Sequence, residues 1–340
     1  MTFEALLTSI SSTISDYRAS SSFAPNESHV AKWIAQFPEP VRLPILSEMN
    51  HVLEKTYFSK TRIVQFLDGL LNTVNLVGQD PASFLRGAKF LEIQGGGGSQ
   101  REMLALLDLS LKAKFGFGVK DCGNPASVYV YIDDAIFTGN RVRRDLETWI
   151  AGAAPARATL HVITVAIHSG GQFYAKGRIE QAAKSAGKEI DITWWRAIEL
   201  EDRRAYSASS DVLRPVYIPD DDKVAAYVAA MEHKPHLRPA GQVGVNGLFS
   251  SDTARQTLES EFLKAGVRVR EMAPHLGDTQ RPLGHMTLET LGFGALIVTF
   301  RNCPNNAPLA LWAGDPWYPL FPRTTNSDTS FARFIAGLEV

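Results

Sequence analysis

Apolar residues recur every three to four positions through the first eighty residues and then give way to short continuous apolar runs separated by helical patterns. Val30, Ile34 and Phe37 share one helical face, Ile45, Met49, Val52 and Leu53 a second, and Ile63, Phe66, Leu67 and Leu70 a third. Pro38, Pro40 and Pro44 are expected to mark a break, and Ser59 offers an N-cap to the run from Lys60. The pattern predicts a small helical module over residues 1–80. Three short helices in series are the raw material of a winged-helix module, and equally of a packing or partner-docking bundle. Arg42, Lys60 and Arg62 supply only a thin basic set for DNA.

From Asp80-Pro81 the period changes. "AKFLEIQ", "VYVYIDD", "ATLHVITVAIH" and "IDITWWRAIE" read as strands, and "SQREMLALLDLSLKAKF", "RVRRDLETWIAG" and "GRIEQAAKSAGK" as the helices between them. Near-continuous apolar strands alternating with helices predict an α/β fold, a parallel sheet flanked by helices on both faces. After Pro219, "DDDKVAAYVAAME" and "SDTARQTLESEFLKAG" read as helices, with the Gly- and Pro-rich "HKPHLRPAGQVGVNG" as loop between them. "GALIVTF" reads as a buried strand, followed by a Pro-punctuated aromatic tail. Residues 81–340 are expected to form one domain with a C-terminal elaboration.

Composition narrows the class without naming a function. Of 340 residues, 45% are hydrophobic and 21% charged, with a formal net charge of -1, so no global pull towards nucleic acid exists. Cys122 and Cys303 lie outside any metal-ligand or CxxC spacing and are expected to be free thiols. No apolar run approaches the ~20 residues of a membrane span. The first helix carries an early Glu4 and no basic leader, which reads as an amphipathic helix and a cytoplasmic location without a membrane partner.

In an open parallel sheet, ligands bind beyond the carboxyl ends of the strands. Two strands end in unusual loops. After the first, Gly95, Gly96, Gly97, Gly98 and Ser99 place backbone amides near a helix start; after the next, Asp133-Asp134 is followed by Thr138, Gly139 and Asn140 and then a helix. Both have the makings of phosphate sites. A dinucleotide-binding GxGxxG would need glycine where Gln100 stands, and a P-loop would need a lysine that "GGGGSQRE" lacks. An apolar strand ending in two aspartates is also common in α/β proteins, where one may serve only to cap the turn.

"VYVYIDDAIFTGNRV" resembles the PRPP-binding signature of type I phosphoribosyltransferases, and "FLEIQGGGGSQREML" is similar to their pyrophosphate loop. The resemblance implies that Asp133 and Asp134 receive the ribose hydroxyls as the catalytic acids. Thr138, Gly139, Asn140 and Arg141 would hold the 5-phosphate, and Gly95 to Ser99 would face the pyrophosphate. Mg2+ would be held indirectly, through substrate or water on Asp133 and Asp134. Arg141 stands where the signature has a second threonine: it removes a phosphate-facing hydroxyl and offers a bidentate guanidinium instead. No segment matches the family's base-recognition hood or its flexible catalytic loop.

More widely, "VAKWIAQF", "TRIVQFLDGLL" and "RNCPNNAPLALW" resemble a subfamily found in bacterial conflict systems, including retrons, with an N-terminal winged-helix-like module. That implies an antiviral effector that binds PRPP, a related ribose phosphate or a nucleotide, acting by glycosyl transfer or N-glycosidic cleavage. Its implied partners are a companion defence protein, a reverse transcriptase or nucleic acid. The alternative is a non-catalytic nucleotide sensor or docking module on the same fold. In the tail, Asn302, Asn305, Asn306, Trp312, Trp317 and Arg323 have the chemistry of a base-stacking lid, but turn-holding asparagines and core-sealing tryptophans are the simpler reading. His168 and His285 are isolated and read as structural, and Trp194 and Trp195 as packing on opposite strand faces.

Overall fold

A computed structural model of the chain describes residues 1–19, 23–95, 98–273 and 276–323. The helices α1 (Phe3–Thr13), α2 (Glu27–Ile34) and α3 (Glu39–Thr56) lead into a short strand β1 (Tyr57–Phe58). Then come α4 (Lys60–Leu70), α5 (Val74–Val77), α6 (Pro81–Gly87), β2 (Ala88–Phe90), α7 (Ser99–Phe115), β3 (Val128–Ile136), α8 (Asn140–Ala151), β4 (Arg157–His168), α9 (Ser169–Ser185) and β5 (Glu189–Leu200). The chain continues through α10 (Asp222–Ala229), α11 (Asp252–Met272), β6 (Gln280–Arg281), β7 (Gly284–His285), β8 (Val298–Thr299) and α12 (Leu309–Trp312). The helix starts predicted at Lys60, after Pro219 and at Ser251 all appear; Asp221 and Ser251 cap α10 and α11 by accepting first-turn amides. Pro44 does not break its helix, and α3 runs through it, with Pro40 tolerated in the first turn.

Two compact units divide the chain, one of Met1–Lys60 with everything from Glu201, the other of Thr61–Leu200. That partition differs from the expected boundary at residue 80. In the first unit, the apolar faces of the N-terminal helices are satisfied by residues more than two hundred positions later. Trp33 donates its indole N–H to the Ala310 carbonyl at 2.8 Å, and Phe37 stacks on Phe262 and meets Trp317 edge-on. β1 pairs in parallel with β8, a two-residue remnant of the longer strand expected in "GALIVTF". The buried Glu48 carboxylate accepts the Ser250 amide N–H at 3.0 Å. Arg42, one of the three basic residues considered for DNA, donates to the Phe37 and Ala35 carbonyls at the end of α2.

The aromatic tail belongs to this unit's core. Trp312 and Trp317 donate to the Ala307 and Ala310 carbonyls, Asn306 donates to the His285 carbonyl, and Arg323 stacks on Trp312 while bonding the Cys303 carbonyl. These side chains hold backbone, as the simpler reading has it. Cys122 and Cys303 are buried free thiols. Among the described residues, no helix is long and apolar enough to cross a membrane.

The second unit carries a four-stranded parallel sheet in the order β2-β3-β4-β5. It is the α/β architecture the apolar runs predict. Tyr131, Leu160 and Val162 share one face and form a core with Val142, Leu146, Trp149 and Ile150 of α8 and Ala175 and Ile179 of α9. Alternation sends neighbouring residues to the other face, where His161 accepts from the Trp195 indole at 3.0 Å and lies against Phe84. Trp194 packs on the α8–α9 side, so the two tryptophans do part to opposite faces. β2 is shorter than predicted: after Leu91, whose amide still bonds the Val130 carbonyl, the chain leaves the sheet towards the glycine run.

Candidate functional site

Both singled-out loops lie at the carboxyl ends of adjacent strands, one leading from β2 into α7 and the other from β3 into α8. Each helix starts from a glycine in the left-handed region, Gly98 at φ 89° and Gly139 at φ 75°, and neither offers a capping side chain of its own; at α7 the Gln94 side chain takes the Gln100 amide. Glycine is the residue that takes this conformation without strain, and it brings no side chain of its own to the first-turn amides. Together with the helix dipole, that favours an anion at each start. Gly96 and Gly97 lie outside the described residues.

Asp133 lies at the centre of the second unit's polar network. Its side chain is buried, with Oδ1 accepting the Asp134 amide N–H at 2.9 Å and Oδ2 accepting Gln94 Nε2 at 3.0 Å. The Tyr131 hydroxyl approaches Oδ2 at 3.4 Å but stands 2.9 Å from Asp145 Oδ2; it has one proton, and the shorter contact gives that to Asp145. Gln94 Oε1 accepts from the Ser99 hydroxyl at 3.2 Å and the Gln100 amide at 3.3 Å, while Gln100 returns its own Oε1 to the amides of Ile93 and Gln94. Burial, followed by the charge of Asp134, pushes the Asp133 carboxyl up to about 7. Burial also raises Asp145, opposed by the Tyr131 hydroxyl, the charge of Arg141 and a hydrogen bond from the Gly95 amide. Arg141 is exposed, and its positive charge favours the ionised forms of both carboxyls.

Asp134, the next residue on the strand, points to the opposite face and is half-buried, with Oδ1 accepting the Ala135 amide at 2.8 Å. Thr138 and Asn140 flank Gly139, with Asn140 Nδ2 3.5 Å from Thr138 Oγ1. His168 ends β4, and its Nδ1 lies 2.9 Å from the Ile136 carbonyl, a backbone-holding role as its isolation suggests.

The Thr-Gly turn owes its shape to a residue with no local signal in the sequence, Gly171. A Cβ on Gly171, in the first turn of α9, would lie 1.8 Å from the Phe137 carbonyl oxygen, and one on Gly139 would lie 2.2 Å from the Gly171 carbonyl. Two glycines thus let the turn and α9 approach backbone to backbone. Gly171→Ala is expected to lower thermal stability and displace the turn. Gly177→Ala, in the same helix with nothing within 4 Å of its Cβ, is expected to gain about 0.5–1 kcal/mol from helix propensity. Thermal denaturation of the two variants checks this, and equal shifts would contradict the close approach.

The structure therefore joins Asp133 and Ser99 through Gln94, within reach of the charge of Arg141, and places Thr138, Gly139 and Asn140 at the adjoining helix start. Gln94, Tyr131, Asp145 and Gly171 complete the arrangement, and the sequence reading singled out none of them. Tyr131 looks like a core aromatic, Asp145 like a solvated helix residue, and nothing local distinguishes Gln94 from other loop residues. Among the described residues, the one cluster with three potential metal-ligand atoms within 4.8 Å of one another is Glu232, His233 and Glu289, in the other unit; Asp133 and Asp134 form no such group.

No curated protein and no solved structure matches the chain significantly. The PRTase-CE family does match, over residues 30–323, a span that begins within α2 and runs through both compact units. With the strand-end acids, the two helix starts and a match across most of its length, the chain belongs to the PRTase-CE family and is a phosphoribosyltransferase-like protein.

Proposed function

We propose that the ends of β2 and β3 bind PRPP or a related ribose phosphate, including that of a nucleotide, and that the protein acts on the glycosidic carbon. The observation that carries this reading is the pairing of a buried acid, Asp133, and its half-buried neighbour, Asp134, with two adjacent helix starts that each open on a left-handed glycine. Vicinal ribose hydroxyls suit carboxylate acceptors, and each helix start suits a phosphate. In this reading Asp133 and Asp134 orient the sugar, and Thr138, Gly139, Asn140 and Arg141 hold the 5-phosphate. Gly95, Gly98 and Ser99 face the pyrophosphate.

Carboxylate oxygens fit Mg2+, a hard cation. Both oxygens of Asp133 already accept protein hydrogen bonds, so Asp133 and Asp134 would hold the ion through substrate oxygens or water. The ion would supply charge neutralisation on the leaving pyrophosphate. The chain's own contribution is positioning and electrostatic: substitution at the anomeric carbon passes through an oxocarbenium-like state, which fixed donors around the leaving group and acids beside the ring stabilise.

The family resemblance supports a further step, use of this chemistry by an effector of bacterial anti-phage systems of the retron kind, with nucleotides as targets and a companion defence protein as partner. Loss of PRPP binding on replacing Asp133 and Asp134 by asparagine tests the site. Pyrophosphate release by the wild-type protein then separates an enzyme from a non-catalytic sensor of the same ligand.

A further inference from the structure

We infer that Gln94 is a positioning residue that couples the ribose half of the site to its pyrophosphate half; the inference rests on the reading of the site given above. Gln94 uses both ends of its amide. The NH2 end donates to Asp133 Oδ2, and the oxygen accepts from the Ser99 hydroxyl and the Gln100 amide in the first turn of α7. Beside the same acid stands Tyr131, its hydroxyl 3.4 Å from Asp133 Oδ2 and donating to Asp145 Oδ2 at 2.9 Å. The first turn of α7 is thus tied through Gln94 to Asp133.

A bridge of this kind transmits a change at the acid. A sugar hydroxyl that donates to Asp133 competes with the Gln94 NH2 for the same oxygen lone pairs. Any shift of the Gln94 amide alters the acceptor offered to Ser99 and Gln100, the groups that would meet pyrophosphate. Because hydrogen bonds in a buried network polarise one another, the two ends are not independent. A brace that merely stiffened the loop would change the affinity for each half-ligand without linking them.

Linkage separates these cases. Ribose 5-phosphate and inorganic pyrophosphate are titrated into the full-length protein singly and together, at fixed Mg2+ and ionic strength. In the wild type, each is expected to change the dissociation constant of the other by the same factor, at least about fivefold. In Gln94→Met, which keeps side-chain length but removes both hydrogen-bonding ends, the factor is expected to fall towards one while both probes still bind. Gln94→Leu, which likewise lacks both hydrogen-bonding ends, is expected to reduce the factor as well, which keeps the test available should Gln94→Met fail to fold. Independent binding in the wild type, or undiminished coupling in the variants, overturns the role of Gln94 and leaves the site itself standing. If neither probe binds the wild type, the reading of the site fails and takes the inference with it.

Discussion

Asp133→Asn is expected to raise the melting temperature at about pH 8, with the gain shrinking towards about pH 4. Burial and the adjacent charge of Asp134 lift this carboxyl from its ordinary 3.8 to about 7. The folded protein therefore holds a proton that the unfolded chain has released, and stability falls as pH rises from the unfolded value through the folded one. Above about pH 7 the full penalty applies. It corresponds to at most about 4 kcal/mol for a gap of three units, with each kcal/mol recovered worth about 2–4 °C. Asparagine keeps the shape and an acceptor for Gln94 or the Asp134 amide, but carries no charge to desolvate. The groups facing the carboxyl are Asp134, Arg141, Tyr131, Gln94 and Ser99, and of these the Asp134 amide and the charge of Arg141 moderate the shift. A lower melting temperature at both pH values would mean that the ionised carboxylate stabilises the fold. A costly acid kept at the mouth of two phosphate-favouring helix starts is the pattern expected of a binding residue.

The second large effect lies in the other unit. Glu259 on α11 is fully buried between two fully buried arginines, with Oε1 2.8 Å from Arg255 Nε and Oε2 2.9 Å from Arg238 Nη2. Its Oε1 also accepts the Arg214 amide at 3.0 Å. Glu259→Gln removes the charge that both guanidinium groups face, leaving Arg238, among the described residues, with Asp252 at 2.7 Å as its ion-pair partner. Breaking a buried ion pair from one side costs about 3–5 kcal/mol, so a fall of roughly 10 °C or more in melting temperature is expected. A loss of under about 1 kcal/mol in denaturant titration would show that the arginines find other acceptors. As a control, Lys176→Ala touches only the exposed pair with Glu180 and should change little.

These two cases also show where the sequence was readable and where it was not. The strand ending in Asp133-Asp134, the turn at Thr138-Gly139 and the following helix are contiguous, so their geometry follows from a period and a turn signal. The partners of Asp133 come from a loop, a strand position and a helix face spread from Gln94 to Asp145, and no local period links them. Arg255 and Glu259 are four residues apart on a helix, which usually denotes a solvated pair. Only the packing of α11 puts them in the interior. In the same way, Val30, Ile34 and Phe37 announce an apolar face without naming what covers it. A separate module ending near residue 80 is the economical expectation from such a pattern. The partner is the chain beyond Glu201, including Phe262 and Trp317, and side chains such as Trp33 and His29 bond its backbone.

Calorimetric titration of PRPP with Mg2+ into the wild type and into the Asp133→Asn/Asp134→Asn variant tests the central claim most directly. The account predicts saturable one-site binding to the wild type and none to the variant, with the variant still folded by circular dichroism and no less thermostable at about pH 8. Binding of equal affinity to both proteins, or to neither, would contradict it.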